Sequence, residues 1–461
     1  MLRYVLFCWL LAASCRLIGA NVTYNSPVDY QITLAGNFGE PRPHHFHGGL
    51  DIKTDNVEGK HIYSIGDGYV SRLTVGLNGF GNAVYVTHPE GYTSIYCHLK
   101  CFSYRLEQMV KRTGQHGEQI DVRLSPIDFP VSQGQLIALS GNTGHSTGPH
   151  LHLEIHDTRT WDMMDPLEFL APFVNDSVAP QAHSFMACPV EGEGLFNGGS
   201  QKQTFGFSSH RLEQEFTAWG RVGFALWADD YMQNVHNHYG IRETILLVDG
   251  REVFHSDVGR IPVYSNRQVN AWGDFDHWSR HKTWYMRSYI PKGVTLPILR
   301  ADENRGVVDF CEERPYQLLY ILRDFAGNES HYEFTVMGQK SKLVPKPYQR
   351  NNVHHDRLTI ISLPGMQLTI PAGMVEDAMN ISPETVEGTL SPCYTFASQP
   401  CPLFGWAELC IAVPDGLDTS NLYIDSGGYD MGGVYQDGWM VTRIRELGAS
   451  YELKTRDSIY E

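Results

Sequence analysis

The chain has 461 residues, of which 42% are hydrophobic and 19% charged, so its composition is that of a folding protein rather than a disordered one. This length suggests about three domains. The formal net charge of −16 excludes nucleic acid as an expected partner, because binding phosphates requires a basic surface.

Residues 1–20 have the pattern of a secretory signal peptide. Arg3 precedes an apolar run from Tyr4 to Ala13, and small residues follow as far as Ala20. The apolar run is too short to span a bilayer, and no other stretch of the sequence is long and apolar enough. We therefore predict an exported protein of the periplasm or cell envelope without a transmembrane span in its mature chain. Cleavage after Ala20 and lipidation of Cys15 both stay open.

The cysteines beyond this segment do not form a dense disulfide framework, because their number is odd and they are spread over a long chain. They are Cys97, Cys101, Cys188, Cys311, Cys393, Cys401 and Cys410. A disulfide among the last three stays open in an oxidising compartment. Cys97 and Cys101 flank His98, where a local disulfide or a reduced pair is favoured over a soft metal site that would need further ligands.

Residues 21–174 are expected to form an antiparallel, hairpin-rich β domain. Short alternating runs are separated there by Gly, Asn or Pro, which is typical of such a domain. One helical pattern, Leu106–Arg112, lies in an insertion between Lys100 and Phe129. The runs are His61–Ile65, Gly68–Val75, Ala83–His88 and Tyr92–His98.

The rest of the chain continues with β patterns, so the predicted fold class is mainly β. Asn175–Pro180 reads as a linker, and residues 175–340 predict a β-sandwich-like domain that contains an Asp249-Gly250 hairpin signal. Trp284–Tyr289 is among its predicted strands. After a basic, proline-containing second linker, residues 350–461 predict a further sandwich-like β domain.

The sequence HLHLEI at residues 150–155 alternates polar and apolar residues with the period of a β-strand. His150, His152 and Glu154 therefore share one face of this strand. Two imidazoles on one strand can form half of a metal site. A polar face of an edge strand that happens to carry two histidines explains the pattern equally well.

A hydrolytic zinc site needs three protein ligands and an open position. The sequence HGGLD offers His47 and Asp51 as the best partners for the HLH strand, and its two glycines favour a turn over a helix. A chain with 21 histidines also produces such pairs by chance, and the adjacent His44 and His45 leave a non-specific histidine-rich tract open. His98, at the end of a predicted strand, is a third candidate, although a lone histidine there is more often structural.

Residues 36–170 contain a series of short motifs whose order is specific to a known protein family. The motifs are Asn37-Phe38-Gly39, His47-x-x-x-Asp51, Ile65-Gly66-Asp67-Gly68-Tyr69-Val70, Gly79-Phe80-Gly81-Asn82, Tyr96-x-His98-Leu99, and the run from Val131 to Glu154 that contains Gly148-Pro149-His150-Leu151-His152. In this order they resemble the lysostaphin-type zinc metallopeptidases, the peptidoglycan endopeptidases of the duplicated-hybrid-motif fold. The resemblance covers about a third of the chain.

The resemblance implies roles for the individual residues. It makes His47, Asp51 and His152 the ligands of one Zn²⁺ ion, and His98 and His150 a catalytic pair that does not bind the metal. Glu154 either orients a ligand histidine or simply faces solvent. No HExxH motif is present, so a histidine has to accept the proton during hydrolysis.

The implied function is hydrolysis of peptide cross-links in bacterial peptidoglycan, with the peptide stems as binding partner. The two trailing β domains are similar to those appended to such peptidases in Gram-negative chains, which favours a D,D-endopeptidase by analogy. A lipid anchor and an envelope partner bound through the C-terminal domains stay open, and so does a latent form in which residues 21–37 cover the zinc.

Two alternatives belong to other classes. One is a non-catalytic cell-envelope scaffold or activator that uses a vestigial peptidase domain, against which the intact ligand positions count. The other is a zinc peptidase that acts on envelope proteins.

Overall fold

The computed structural model describes residues 24–112, 119–346 and 351–456. The expected signal peptide and the lipidation candidate Cys15 lie outside the described residues. Within these ranges the structure is mainly β, as predicted, and its helices are short. A search of the same ranges finds no helix with the length and hydrophobicity needed to cross a membrane.

Short strands and two helices form the N-terminal part. Of the four alternating runs, Gly68–Val75 becomes a strand with the predicted bounds, and the other three become slightly shorter strands. The strands are β1 (Leu34–Gly36), β2 (Pro41–Arg42), β3 (His45–Phe46), β4 (Leu50–Lys53), β5 (His61–Tyr63), β6 (Gly68–Val75), β7 (Ala83–Thr87), β8 (Tyr92–Cys97), β9 (Cys101–Phe102), β10 (Ile120–Arg123), β11 (Pro130–Val131), β12 (Leu136–Leu139), β13 (His150–Asp157) and β14 (Met163–Met164). The helices are α1 (Tyr104–Arg112) and α2 (Leu167–Leu170), followed by a 3₁₀ turn (Ala171–Phe173).

The main sheet of this part has the order β1-β4-β13-β8-β7-β6-β10, with antiparallel neighbours. The HLHLEI strand, β13, is therefore central, and its interpretation as an edge strand was wrong. Leu151, Leu153 and Ile155 on one face of β13 are buried in a core with Leu50 and Ile52 of β4. The opposite face carries His150, His152 and Glu154, as the alternation predicted.

The middle part is built on one large sheet with the order β16-β15-β17-β26-β25-β19-β20-β23. Its strands are β15 (Gln181–Phe196), β16 (Gln203–Gly206), β17 (Arg211–Tyr231), β18 (His238–Tyr239), β19 (Glu243–Val248), β20 (Arg251–Asp257), β21 (Arg260–Ile261), β22 (Met286–Arg287), β23 (Leu299–Ala301), β24 (Val308–Phe310), β25 (Pro315–Arg323) and β26 (Glu329–Gly338). A 3₁₀ turn (Val263–Gln268) leads into α3 (Val269–Trp272), and α4 (Phe275–His281) follows.

In the middle part, the predicted Asp-Gly hairpin is present, whereas the strand predicted over Trp284–Tyr289 is shorter than expected. Asp249 and Gly250 both have positive φ, 50° and 78°, and join β19 to β20 in the tight hairpin predicted for Asp-Gly. The strand predicted over Trp284–Tyr289 is only two residues long, β22. The indole ring of Trp284 instead stacks on Trp278 of α4 at a centroid distance of 5.2 Å, so side-chain packing takes the place of strand pairing.

The C-terminal part consists of two sheets that share one core, as expected for a β-sandwich. The strands are β27 (Thr359–Leu363), β28 (Met366–Ile370), β29 (Glu384–Val386), β30 (Cys393–Thr395), β31 (Pro402–Ala412), β32 (Leu422–Ser426), β33 (Tyr429–Asp430), β34 (Val434–Gln436), β35 (Trp439–Glu446) and β36 (Ser450–Thr455), with a 3₁₀ turn at Thr419–Asn421. Leu368 and Ile411 from one sheet pack in the same cluster as Tyr394 and Leu453 from the other.

The N-terminal and middle parts are joined by shared packing. Met232 and Tyr239 of the middle part are buried in the N-terminal core, and Phe38 and Phe46 of the N-terminal part are buried in the middle core. β14 also pairs with β21. The division of the chain at residues 174 and 340 stays a prediction.

Candidate metal centre

Three side chains from two adjacent strands and the turn before them bring their donor atoms together. His47 Nε2 lies 3.0 Å from Asp51 Oδ1 and 3.1 Å from His152 Nδ1, and His152 Nδ1 lies 2.8 Å from Asp51 Oδ1. Asp51 of β4 and His152 of β13 are directly opposite one another in the sheet, so they project from the same face. These are the three residues that the sequence resemblance implied as zinc ligands.

The outer nitrogen of each imidazole is engaged by an acceptor, which fixes the tautomer. His47 Nδ1 donates to the carbonyl oxygen of Asn37 at 2.5 Å, and His152 Nε2 donates to Glu154 Oε1 at 3.0 Å. In the neutral tautomers the inward nitrogens therefore carry lone pairs, and they face a carboxylate oxygen that carries lone pairs as well. Two imidazole nitrogens and one carboxylate oxygen that converge in this way match the donor set of a zinc ion, which would displace a proton held between them in the metal-free protein.

Glu154 lies behind the ligands rather than in solvent. It is 5% exposed, and its second oxygen, Oε2, accepts a hydrogen bond from His156 Nε2 at 2.6 Å. The other ring nitrogen of His156 lies 3.2 Å from the carbonyl oxygen of Trp161. The buried side chains of His156, Glu154 and His152 thus form a relay, which begins at the carbonyl oxygen of Trp161 and sets the orientation of the His152 ring.

The carboxylate of Asp51 is held from its other side. Arg42 Nη2 lies 3.4 Å from Asp51 Oδ2 and 3.0 Å from Glu40 Oε2. Glu40 Oε1 accepts a hydrogen bond from the backbone of Asn37 at 2.9 Å. The Asn37 side chain makes paired hydrogen bonds with the backbone of Gly240 in the middle part and does not reach the donor atoms. Asn37 therefore supports the centre through its backbone carbonyl oxygen.

His98 and His150 lie beside this group and share one arrangement. His98 Nδ1 donates to the carbonyl oxygen of Thr143, and His150 Nδ1 to that of Gly148, each at 2.8 Å. Their ring centroids are 4.9 Å apart. His150 Nε2 lies 3.3 Å from Asp51 Oδ1 but outside the group of donor atoms that are all within 4.8 Å of one another. Both rings thus use Nδ1 to hold their orientation, and the Nε2 of His150 lies beside the carboxylate of Asp51.

The backbone of His98 explains how its side chain reaches this place. Its φ is +58°, a left-handed conformation that ends β8 and turns the ring toward β13. The ring centroid of His98 lies 5.7 Å from that of His152. A positive φ at a non-glycine residue is uncommon and has no signature in the sequence. The direction of the His98 side chain could therefore not be predicted from the alternation of β8.

Burial and charge set the protonation states around the metal-free centre. Burial alone raises the pKa of Asp51, but the neighbouring His47 and hydrogen bonds from His150 and His152 outweigh it and hold that pKa far below its ordinary value. Burial lowers the pKa of His152, but hydrogen bonds to Asp51 and Glu154 raise it to about 9. Burial, followed by repulsion from His152, lowers the pKa of His98 to about 4, so His98 is neutral near pH 7.

Cys97 packs beside the centre and is not one of its donors. It lies opposite His152 in the ladder between β8 and β13, and its side chain is buried with Ala83, Tyr85 and Ile95. Burial raises the pKa of the Cys97 thiol well above its ordinary value, so it stays protonated. The seven cysteines of residues 24–112, 119–346 and 351–456 form no disulfide in this structure, so Cys97 and Cys101 are present as the reduced pair and not as the local disulfide.

Two residues that support the metal centre were not found from the sequence. His156 follows Glu154 on the same strand face, so continuing the alternation for two more residues would have found it. Arg42 lies in a turn-rich stretch between Asn37 and His47, where no periodicity marks it. Its contact with Asp51 depends on how the β2–β3 hairpin folds back, which is not a local property of the sequence.

Two family models match parts of the chain. Residues 45–120 match the model of Peptidase family M23, and residues 350–455 match the model of the Zu5-like domain. The M23 match contains His47, Asp51 and His98 and ends before β13.

Curated relatives match a part of the chain. An uncharacterized metalloprotease of Haemophilus influenzae is 33% identical over 118 residues, which is 26% of this chain and 19% of the relative. Peptidoglycan DD-endopeptidase ShyA of Vibrio cholerae is 33% identical over 135 residues, which is 28% of this chain and 26% of the relative. The chain therefore spans about a quarter or less of the length of these relatives.

One solved structure with a similar sequence is a zinc-containing peptidase from Vibrio cholerae. It shares 29% identity and covers 29% of this chain and 37% of its own, with a TM-score of 0.21.

Proposed function

Starting from the Peptidase family M23 domain that this chain carries, we propose that the protein is a zinc-dependent endopeptidase that hydrolyses peptide cross-links of bacterial peptidoglycan. The observation that carries the proposal is the convergence of His47 Nε2, Asp51 Oδ1 and His152 Nδ1, with two further histidines beside them. We assign these three atoms as the ligands of one zinc ion. A bound zinc ion polarises a carbonyl and lowers the pKa of a water molecule to about 7.

His98 and His150 supply the acid–base chemistry in this proposal. The carbonyl oxygens of Thr143 and Gly148 hold their Nδ1 protons, so each Nε2 can accept a proton and later donate it. In its protonated state, either imidazole can also donate a hydrogen bond to the negative oxygen that develops on a peptide carbonyl under attack. In the metal-free centre His98 is neutral near pH 7, so its Nε2 carries no proton before hydrolysis begins.

The substrate is expected to approach from the side of His150. The side chain of His150 is 17% exposed, whereas those of His47 and His152 are 6% and 8% exposed. The two ligand histidines are therefore more shielded than His150, and Asp51, whose side chain is 14% exposed, is open on the same side as His150. Such an arrangement suits an extended peptide that lies across the surface of the domain.

The more specific assignment is a D,D-endopeptidase that acts on directly cross-linked stems. It is supported by the names of relatives such as the ShyA and ShyC endopeptidases of Vibrio cholerae, each matched over 28% of this chain. Export to the periplasm or cell envelope is part of the same proposal, since the substrate lies there and residues 1–20 have a signal-peptide pattern.

Digestion of purified sacculi by the zinc-loaded protein tests the proposal against its alternatives. The proposal predicts soluble muropeptides with cleaved cross-links, identified by mass spectrometry, and no comparable cleavage of denatured envelope proteins. Bound zinc without any product from sacculi would favour the scaffold, and products only from denatured proteins would favour a protein peptidase. The His150→Ala protein serves as the control for contaminating hydrolases.

A further inference from the structure

Three aspartates far from the zinc centre meet where the N-terminal part joins the middle part. Asp176 lies in the segment that follows the 3₁₀ turn at Ala171–Phe173, Asp230 lies near the end of β17, and Asp324 lies in the turn between β25 and β26. One carboxylate oxygen from each lies within 4.8 Å of the other two. Three separate stretches of the chain thus bring negative groups to one place.

Asp230 stands out within this group, because its carboxyl group is buried and has no hydrogen-bond partner. It is 1% exposed, and neither of its carboxylate oxygens has a hydrogen-bond partner. Asp176 Oδ2 is also buried without a partner. Buried polar groups are nearly always hydrogen-bonded, and buried charges are paired or bind metals. Asp176 Oδ1 accepts a hydrogen bond from the backbone of Val178 at 3.0 Å, which leaves three buried oxygens of the two carboxylates without a partner, an unusual arrangement that calls for a positive ligand.

The third carboxylate is held in position by its own turn. Asp324 Oδ1 accepts a hydrogen bond from the backbone of Asn328 at 2.9 Å, and Asp324 Oδ2 accepts one from the Asn328 side chain at 2.7 Å. A carboxylate oxygen has a second lone pair, so these bonds orient Asp324 and still leave it able to bind a cation.

The largest influences on the pKa values of these carboxylates are burial, backbone amides, Asn328 and other acids, and none of these is a lysine, arginine or histidine. Burial, followed by repulsion from Asp176 and Asp324, raises the pKa of Asp230 to about 9. A bound cation would remove both penalties, because it replaces the lost hydration and neutralises the repulsion.

We propose that Asp176, Asp230 and Asp324 bind a calcium ion. All three donors are carboxylate oxygens, which selects a hard cation over zinc, whose protein ligands include imidazole and thiolate. Calcium accepts carboxylates from irregular loops and tolerates variable geometry. Magnesium demands a near-ideal octahedron and keeps most of its water. A buried cluster drawn from a linker, a strand end and a turn fits calcium better.

The ion would fix the joint between the two parts of the chain. Ser177, next to Asp176, donates its backbone N–H to Gln233 Oε1 at 3.1 Å. The segment after Asp230 then contacts the N-terminal sheet, where Tyr239 Oη donates to the carbonyl oxygen of Leu34 at 2.9 Å. Calcium therefore ties the linker to a segment that packs against the strand next to β4, and its role is structural.

Thermal unfolding of the full chain tests this site. The protein is stripped with a chelator, reloaded with one equivalent of zinc, and heated with calcium chloride, magnesium chloride or extra zinc at about 5 mM, a level suited to weak extracellular calcium sites. We expect calcium to raise Tm by roughly 3 °C or more and magnesium to raise it much less. Asp230→Asn should abolish this response, whereas Asp309→Asn, at an exposed aspartate of β24, should keep it.

Direct binding keeps the proposal testable if Asp230→Asn does not fold. Equilibrium dialysis of the wild-type chain should find one calcium ion in addition to zinc. His152→Ala should retain this calcium ion while losing zinc, which separates the site from the proposed catalytic function. An unchanged Tm together with no bound calcium would overturn the proposal, as would an Asp230→Asn protein that binds and responds to calcium like the wild type.

Discussion

Asp51 and His152 lie directly opposite one another on adjacent antiparallel strands, with Asp51 Oδ1 2.8 Å from His152 Nδ1. Their separation is therefore set by the backbone ladder between β4 and β13 and not by a flexible loop. A slip of one residue in this register would turn one of the two side chains to the opposite face of the sheet. The metal centre thus depends on the correct pairing of two strands.

Gly49→Ala tests this dependence. A Cβ at residue 49 would lie 2.2 Å from the carbonyl oxygen of Leu153 on β13, and a backbone atom cannot rotate away. We expect a loss of about 1–3 kcal/mol in stability and a clear drop in bound zinc. Gly76→Ala is the matched control, since its nearest contact is an ordinary 3.8 Å. Unfolding midpoints and zinc per chain give the answer, and wild-type zinc content in Gly49→Ala would refute the register argument.

His98→Ala and His150→Ala separate proton transfer from metal binding. Neither ring belongs to the group of three converging donors, so both variants should keep zinc while hydrolysis falls by about 10²–10⁴-fold. His61→Ala, which removes an exposed histidine on β5, should change neither property. Zinc content and initial rates on cross-linked muropeptides are the two measurements. Unimpaired hydrolysis by His150→Ala would exclude it as a catalytic residue.

Glu154→Gln tests the buried relay behind His152. The carboxylate accepts hydrogen bonds from both His152 and His156, and an amide can accept with only one of its two heavy atoms. We expect zinc affinity to fall by about 10–100-fold, measured by competition with a chelator. Glu58→Gln, at an exposed position, provides the control. Equal zinc affinity in both variants would show that Glu154 does not orient the ligand.

Arg242→Ala tests the charged contact between the N-terminal and middle parts. Arg242 contacts Asp165 and Glu168 of the N-terminal part at 2.9 Å each and Asp257 of β20 at 2.8 Å. The Asp165 side chain is only 5% exposed, so removing its partner leaves a buried charge. The expected loss is about 3–5 kcal/mol in urea unfolding. The double variant with Asp165→Asn should recover part of this loss, and a loss below about 1 kcal/mol for Arg242→Ala would contradict the assigned role.

The sequence predicted the local features of the site but not its surroundings. Alternation gave the strand and placed His150, His152 and Glu154 on one face, because the period of two is a property of the backbone itself. It could not show that β13 lies between β4 and β8, since strand pairing depends on contacts that are distant in sequence. Glu154 is buried for the same reason, and alternation alone does not distinguish a solvent-facing side from a second buried layer.

The carboxylate cluster shows the same limit in another region. Asp176 lies in the predicted linker Asn175–Pro180, whereas Asp230 and Asp324 lie at the end of β17 and in the β25–β26 turn. Nothing in their local sequence relates them. They meet only because the linker lies against the end of β17 and the β25–β26 turn, which is a consequence of the tertiary packing.

The central claim is that the three converging donors hold zinc and that the histidines beside them cut peptidoglycan cross-links. The most direct measurement is digestion of a defined D,D-cross-linked muropeptide dimer, followed by mass spectrometry, with wild-type and His150→Ala proteins that carry equal amounts of zinc. The account predicts two monomers from the wild type and intact dimer from the variant. Intact dimer with the fully zinc-loaded wild type, or equal cleavage by both proteins, would contradict it.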